Sequence, residues 1–436
     1  MSFDLPDLPT GWSFASLESC SQKGSITYGI VQPGSPTNGG VPIIRVNNFR
    51  DTRIDVSDVM RVTPDIAAKY ERTRLKGGEV LLTVVGTVGQ VAVAPSAVAG
   101  YNVARAVAVI HPLPHVNPEW IALCLRSPFS QHLLGSRANT TVQTTINLKD
   151  LRALPIPFPP EGERLAITKM IGAIDDRITL LRETNTTLEA ITQALFKSWF
   201  VDFDPVHAKM QGRAPEGMDE ATAALFPDSF EDSELGKVPK GWRIESIYEV
   251  AKLVYGAPFA SKKFKSDPPG KPLVRIRDLK DERPGVYTEE VHPKGYLLQP
   301  GDIAVGMDGE FRAYVWGGEE AWLNQRICVF QPINGANSVF VRLSIAPLLA
   351  SVEASETATT VIHLGKNDID RFKILHPGNA VLNSFGLITT SLYERVVRNK
   401  HVIQNLGSIR DTLLPRLISG QLRIKEAKQT LQEAEA

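Results

Sequence analysis

Residues 163–200 read ERLAITKMIGAIDDRITLLRETNTTLEAITQALFKSWF. Apolar or seam-forming side chains fall at Ile174, Ile178, Leu181, Asn185, Leu188, Ile191, Leu195 and Trp199. Their spacings are all three or four, which is the period of one helix face and close to a heptad. No Pro or Gly interrupts the stretch after Gly172. At 1.5 Å per residue such a helix is roughly 55 Å long. Its flank is rich in charged and hydroxyl side chains, which excludes a membrane span.

The same seam occurs a second time. Adding 218 to each number gives Leu392, Val396, Asn399, Ile403, Leu406, Ile409, Leu413 and Leu417. Each copy carries a single Asn, Asn185 in the first and Asn399 in the second, one layer apart in the alignment. A lone Asn in an apolar seam costs stability and fixes register. The matched seams predict a long helical pair in which each copy is the other's partner. Ile409 stands in the second copy where Ile191 stands in the first. Four residues inserted after both are expected to lengthen the pair by about one turn, roughly 6 Å.

At 436 residues the chain exceeds one simple core, so two or more domains are expected. Lys plus Arg number 48 and Asp plus Glu also 48, so the whole chain shows no basic excess for gripping nucleic acid. Cys20, Cys124 and Cys328 lie far apart and form neither a zinc spacing nor a disulfide framework. That fits a reducing, cytoplasmic compartment. The opening MSFDLPDLPTGW is acidic and broken by Pro, unlike a secretory signal. The one membrane-like run, Val80 to Gly100, contains Gly86, Gly89, Gln90 and Pro95. It reads as two buried strands joined by a glycine turn.

Outside the helices the chain is again duplicated. LPTGWSFASL from Leu8 returns as VPKGWRIESI from Val238, and IIRVNNFRD from Ile43 returns as LVRIRDLKD from Leu273, both 230 residues on. With short insertions, the runs from Lys76, Tyr101 and Thr144 match those from Gln299, Leu323 and Ile362. A repeat of this length is a duplicated domain rather than a solenoid. Each unit is expected to be a strand-rich globule of roughly 150 residues followed by one long helix. Val/Ile-rich runs with Gly turns mark the strands, as at Ile43 to Val46, Val80 to Val85 and Val103 to Ile110. The fold class is therefore α+β. Asp150 to Pro160, rich in Pro, is expected to be extended before the helix starts at about Glu161. Asp204 to Lys237 reads as an acidic linker with a short helical patch at Asp219 to Leu225. The C-terminal KEAKQTLQEAEA reads as a charged tail.

No catalytic motif emerges. There is no GxxxxGK[ST] phosphate loop and no HExxH metal pattern. Asp267-Pro268-Pro269 is followed by Gly270, so the aromatic that a DNA amino-methyltransferase stacks on its base is missing. Asp308-Gly309-Glu310 lacks the Lys that would complete a nuclease carboxylate pair. The eight His are dispersed and read as surface or packing residues. What remains is a binding architecture. The Gly-rich loops of the two globules match in place and differ in content: Lys23 to Gln32 against Leu253 to Lys262, and Val85 to Gly89 against Met307 to Phe311. Such loops can bring Asn, Arg, Thr and Tyr to base edges. The candidates are Tyr28, Asn47, Arg50, Thr87, Arg105, Thr141 and Gln143 in the first globule. In the second they are Lys262, Lys263, Lys265, Arg277, Arg312, Arg326 and Thr359. Lys262, Lys263 and Lys265 around Phe264 form the best local phosphate site.

With these residues laid out, the chain resembles the specificity subunit of type I restriction–modification enzymes. The marks are the PxGW openings at Pro9 and Pro239, the passage LKDLRALPIPFPPEGERLAI, the IDDRITLL helix, the KSWFVDF exit and the RLISGQLRI end. The sequence departs from the family at Glu163-Arg164, where Glu-Gln is usual. It departs again at His376-Pro377-Gly378, which replaces the Phe158-Pro159-Pro160 of the first copy. The resemblance implies two target-recognition domains (residues 1–158 and 237–378), a central helix (159–203), a linker (204–236), a distal helix (379–424) and a tail (425–436). It implies that the helices pair as an antiparallel coiled coil. It further implies a non-catalytic subunit that reads a split, asymmetric site on double-stranded DNA and recruits two adenine methyltransferase subunits, which two restriction subunits can join. S-adenosylmethionine, ATP and Mg would belong to those partners, with no cofactor, metal or membrane contact of the chain's own. Two other readings stay open: a methyltransferase with its own recognition domain, and a coiled-coil scaffold that binds only proteins.

Overall fold

The computed structural model describes residues 5–137, 144–234, 236–355 and 362–427. The chain divides into two compact units, residues 1–177 with 406–436, and residues 178–405. The division falls inside both long helices, Glu161–Phe200 and Asn379–Ile418.

In the first unit the strand Ser13–Ser16 pairs antiparallel with Pro155–Phe158, Ser13 opposite Phe158. A four-stranded sheet follows in the order Thr27–Tyr28, Val107–Ile110, Val80–Thr83, Val91–Val93. The Val80 and Val91 strands are the two arms predicted for the membrane-like run, and Val80 to Thr83 are fully buried. A three-stranded sheet sets Val41–Ile44 between Met60–Val62 and Asn102–Val103, with Ile43 parallel to Asn102.

The second unit repeats this plan. Arg243–Ser246 pairs with Lys373–His376. Its four-stranded sheet runs Ala251–Tyr255, Ile327–Pro332, Ile303–Gly306, Ala313–Val315. Lys271–Val274 lies parallel to Ala321–Leu323, with Leu273 opposite Trp322. The helix Ser338–Ser355 is long and apolar enough, by length and composition alone, to cross a membrane. Here Val339, Phe340, Val341, Ile345 and Leu349 are buried in the core of this unit.

The PxGW openings have a direct physical role. Gly11 and Gly241 adopt φ of +87° and +83°, a conformation that disfavours any side chain. The turn is closed by Trp12 N–H donating to Pro9 O at 3.0 Å and by Trp242 N–H donating to Pro239 O at 3.1 Å. Each indole is buried in the core of its own unit. Burying a side chain of this size contributes upwards of about 2 kcal/mol.

Helix exits pack on these turns. In the first unit, a Cβ at Gly420 would stand 2.4 Å from the Pro9 ring, so the RLISGQLRI end needs glycine there. In the second unit, Trp199 and Phe200 of the KSWFVDF exit join Phe226, Trp242 and Phe385 in one aromatic cluster.

Within each unit the helical segments run antiparallel. In the first, Asp175 accepts from Arg410 at 3.0 Å, and Glu163 meets Arg423, just past the second helix, at 2.6 Å. In the second, Asn185 lies against Val396 and Asn399, and Phe200 against Phe385. Most seam positions are buried or half-buried, among them Ile174, Ile178, Leu181, Asn185, Leu188 and Leu195. So are Leu392, Val396, Asn399, Ile403, Leu406, Ile409, Leu413 and Leu417.

Ile191 corrects the expectation. It is 43% exposed, and Thr192 is buried in its place. Straight helices drift against a heptad, so the inward face has moved on by one residue. Antiparallel pairing also overturns the match of Ile191 with Ile409. Asn185 meets Asn399 and Phe200 meets Phe385, so the layer of Ile191 lies near Tyr393.

Two further segments differ from expectation. Asp150 to Ala153 is helical, because Asn147 caps a turn at Leu148–Ala153 through its Oδ1, and no proline occurs until Pro155. The acidic stretch after Asp204 carries the expected helical patch, as Glu220–Ala224, and a second helix, Asp204–Met210, that was not expected. It also holds one arm, Phe230–Ser233, of a hairpin with Gly236–Pro239.

Candidate functional site

In each unit, five segments converge at one edge of the sheets, and the same bonds join them. In the first unit, Ile30 N–H donates to Val103 O (2.7 Å), Ala104 N–H to Ile44 O (2.9 Å) and Val84 N–H to Ala106 O (2.8 Å). Ile146 N–H donates to Val84 O (3.0 Å) and Gly86 N–H to Thr144 O (3.0 Å). In the second unit, the equivalent donors are Ala257 to Leu323 (3.0 Å), Asn324 to Val274 (3.1 Å) and Met307 to Arg326 (2.9 Å). Leu364 to Met307 (2.8 Å) and Gly309 to Ile362 (3.1 Å) complete that set.

These bonds shift one loop alignment by three residues. Tyr28 pairs with Ala108 and Tyr255 with Cys328, so Tyr28-Gly29-Ile30 matches Tyr255-Gly256-Ala257. The position-by-position match of Lys23 to Gln32 with Leu253 to Lys262 does not hold. The glycines enforce the shift. A Cβ at Gly29 would lie 2.0 Å from Val103 O, and one at Gly256 would lie 2.0 Å from Asn324 O. Only glycine lets the backbone approach so closely.

A matched turn presents one candidate from each unit. Arg45 N–H donates to Asn48 Oδ1 (2.9 Å), and the buried Asn48 amide also donates to Asp55 O (3.0 Å) and Asp58 O (2.8 Å). In the second unit, Arg275 N–H donates to the buried Asp278 carboxylate (2.9 Å), which also holds the Arg275 guanidinium. Each pinned turn leaves its middle residue, Asn47 or Arg277, exposed. Thr87 and Arg105 are exposed at the same edge of the first unit.

Other candidates are already engaged. The Tyr28 hydroxyl donates to Ile146 O at 2.9 Å, and burial pushes its pKa up. Arg50 lies 3.6 Å from Asp55. Arg312 pairs with Glu353 at 2.6 Å and ties its loop to the helix Ser338–Ser355. Arg312 and then the Phe311 N–H hold the Glu353 carboxyl below its ordinary range. Lys263 sits 3.3 Å from Glu290, and Lys265 sits 2.6 Å from Glu289. The Ala260 N–H, then Lys263, depress the Glu290 pKa. Among the described residues, Lys262 is exposed without an ion pair, so the lysine cluster offers less net charge than its sequence suggests. Thr141, Gln143 and Thr359 lie outside the described residues.

Sequence reasoning missed one group. Asp308 accepts from His363 Nδ1 at 2.7 Å and faces Arg326 Nε at 3.5 Å. The nuclease-like motif and a dispersed histidine thus meet across 55 residues. The repeat alignment held the signal. Val85, Thr145 and Ala106 occupy the equivalent places in the first unit.

Comparison with known proteins agrees with this duplicated plan. The profile of the type I restriction modification DNA specificity domain matches twice, at residues 36–190 and 239–378. The MjaIX specificity subunit of Methanocaldococcus jannaschii is 22% identical over 90% of this chain and 92% of its own length. The HindI specificity subunit of Haemophilus influenzae is 26% identical over 74% of this chain and 81% of its own. The crystal structure of a type I restriction–modification S subunit from M. genitalium shares the fold, with a TM-score of 0.54 at 16% identity. That match covers 95% of this chain and 98% of the other.

Proposed function

The chain belongs to the specificity subunits of type I restriction–modification systems, and from that membership we propose that its two units read the two halves of one asymmetric DNA site. The observation that carries this reading is the matched edge. The same five segments converge in both units on the same hydrogen bonds, yet the exposed residues differ: Asn47 against Arg277, Thr87 against Glu310, Arg105 against Gln325. A shared frame with different exposed side chains suits two readers of unlike sequences.

The paired helical segments then serve as the scaffold on which two methyltransferase subunits assemble, and motor-nuclease subunits join that core. The chain itself performs no chemistry. S-adenosylmethionine, ATP and Mg act in the partners, and the complex works in the cytoplasm. Neutral overall charge fits this division, because partner subunits supply much of the phosphate grip.

The test is selection from a random duplex library by the chain assembled with its methyltransferase subunits. A motif of two unlike half-sites across a fixed spacer is expected. Absence of any enriched motif would favour a scaffold that binds only proteins. Methyl transfer to DNA by the purified chain alone would make it an enzyme instead.

A further inference from the structure

The Asp308 group sits at the matched edge of the second unit and has no counterpart in the first. Asp308 Oδ2 forms an ion pair with Arg326, whose nearest atom is Nε at 3.5 Å. Among the described residues, no hydrogen bond is found from the terminal nitrogens of Arg326, on a side chain 55% exposed. Asp308 Oδ1 is held by His363 Nδ1 at 2.7 Å, so that ring nitrogen carries the proton. The carboxylate is thus fixed by a hydrogen bond from one side and faces a guanidinium on the other. Backbone geometry fixes it as well. Met307 N–H donates to Arg326 O, and Gly309, beside Asp308, donates to Ile362 O. A guanidinium paired on its Nε side can present its two terminal N–H groups in parallel, and O6 and N7 of guanine in the major groove are their matching acceptors.

We propose that Arg326, oriented by Asp308 and His363, reads a guanine in the half-site of the second unit. This rests on the DNA-reading function proposed above. Arg326 is the base-contacting residue, and Asp308 and His363 are positioning residues. The first unit carries Ala106, Val85 and Thr145 at these places, so its half-site lacks a guanine read in this way.

The experiment compares motifs selected from a random duplex library by the methyltransferase-assembled complex with parent chain, Arg326→Lys, Arg326→Gln or Asp308→Asn. The Lys variant keeps the charge and loses the fork. Both Arg326 variants are expected to lower the preference for guanine at one position of one half-site by roughly 5- to 150-fold. Every other position of the motif should stay as in the parent. Asp308→Asn should lower the same preference part of the way while leaving affinity for random DNA unchanged.

An unaltered motif with Arg326→Lys and Arg326→Gln would overturn the assignment. So would a uniform loss across all sequences, which would make Arg326 a phosphate contact. Full guanine preference in Asp308→Asn would remove the positioning role. A parent complex that selects no motif would instead overturn the DNA-reading function itself, an outcome distinct from these.

Discussion

At the scale of single residues, glycine carries more of the architecture than its sequence pattern discloses. Gly29 and Gly256 sit where the backbone touches Val103 O and Asn324 O, and neither lies in a conspicuous motif. The flanking Tyr28 and Tyr255 were the available signal, hidden because the strand Ala251–Tyr255 is longer than Thr27–Tyr28. By contrast, the glycines of the two PxGW turns were legible, because Trp beside Gly at a repeated spacing points to a turn that plugs a core. Gly29→Ala or Gly256→Ala forces a backbone oxygen aside and should cost about 1–3 kcal/mol each. Urea unfolding of each variant checks this; a midpoint equal to the parent's would show that the close approach is not required. Candidate contact residues were legible only as types. Whether Arg312 or Lys263 is available depends on Glu353 and Glu290, carboxylates 41 and 27 residues further along the chain (353 − 312 and 290 − 263).

At the scale of elements, period was a strong signal and partner choice a weak one. A seam repeated at a fixed offset pointed to two long helices, and both run 40 residues. It did not give their direction, because an offset aligns copies in parallel whether or not they pack that way. The two asparagines show the consequence. One layer apart in the alignment, they meet in the antiparallel pair, with Asn399 Nδ2 donating to Asn185 Oδ1 at 2.8 Å. Asn185 Nδ2 also donates to Val396 O at 3.3 Å, and both side chains are buried. Asn185→Leu should leave the Asn399 amide without its partner and lower stability by about 1–3 kcal/mol. Adding Asn399→Leu removes the orphaned group, so the double variant should recover most of that loss. Thermal unfolding of the three variants decides it. If single and double substitutions lower the midpoint equally, the pair is not a coupled unit.

At the scale of the whole molecule, each unit is completed by helix from two places in the chain. The first unit joins residues 1–177 to residues 406–436, and the second holds residues 178–405. The duplication was readable because PxGW, the helix seam and the helix exits each recur. That an exit packs on a PxGW turn depends on tertiary closure, which no local pattern reports. On the proposed function, the two units read separate halves of one site, and this separability is open to direct test. It is tested most directly by exchanging residues 1–157 for the matching segment of a specificity subunit of known, different site. The DNA methylated by the assembled complex is then sequenced. The expected motif has one half-site with the donor's sequence and the other as in the parent. A motif changed in both halves, or changed in neither while methylation proceeds, would contradict it.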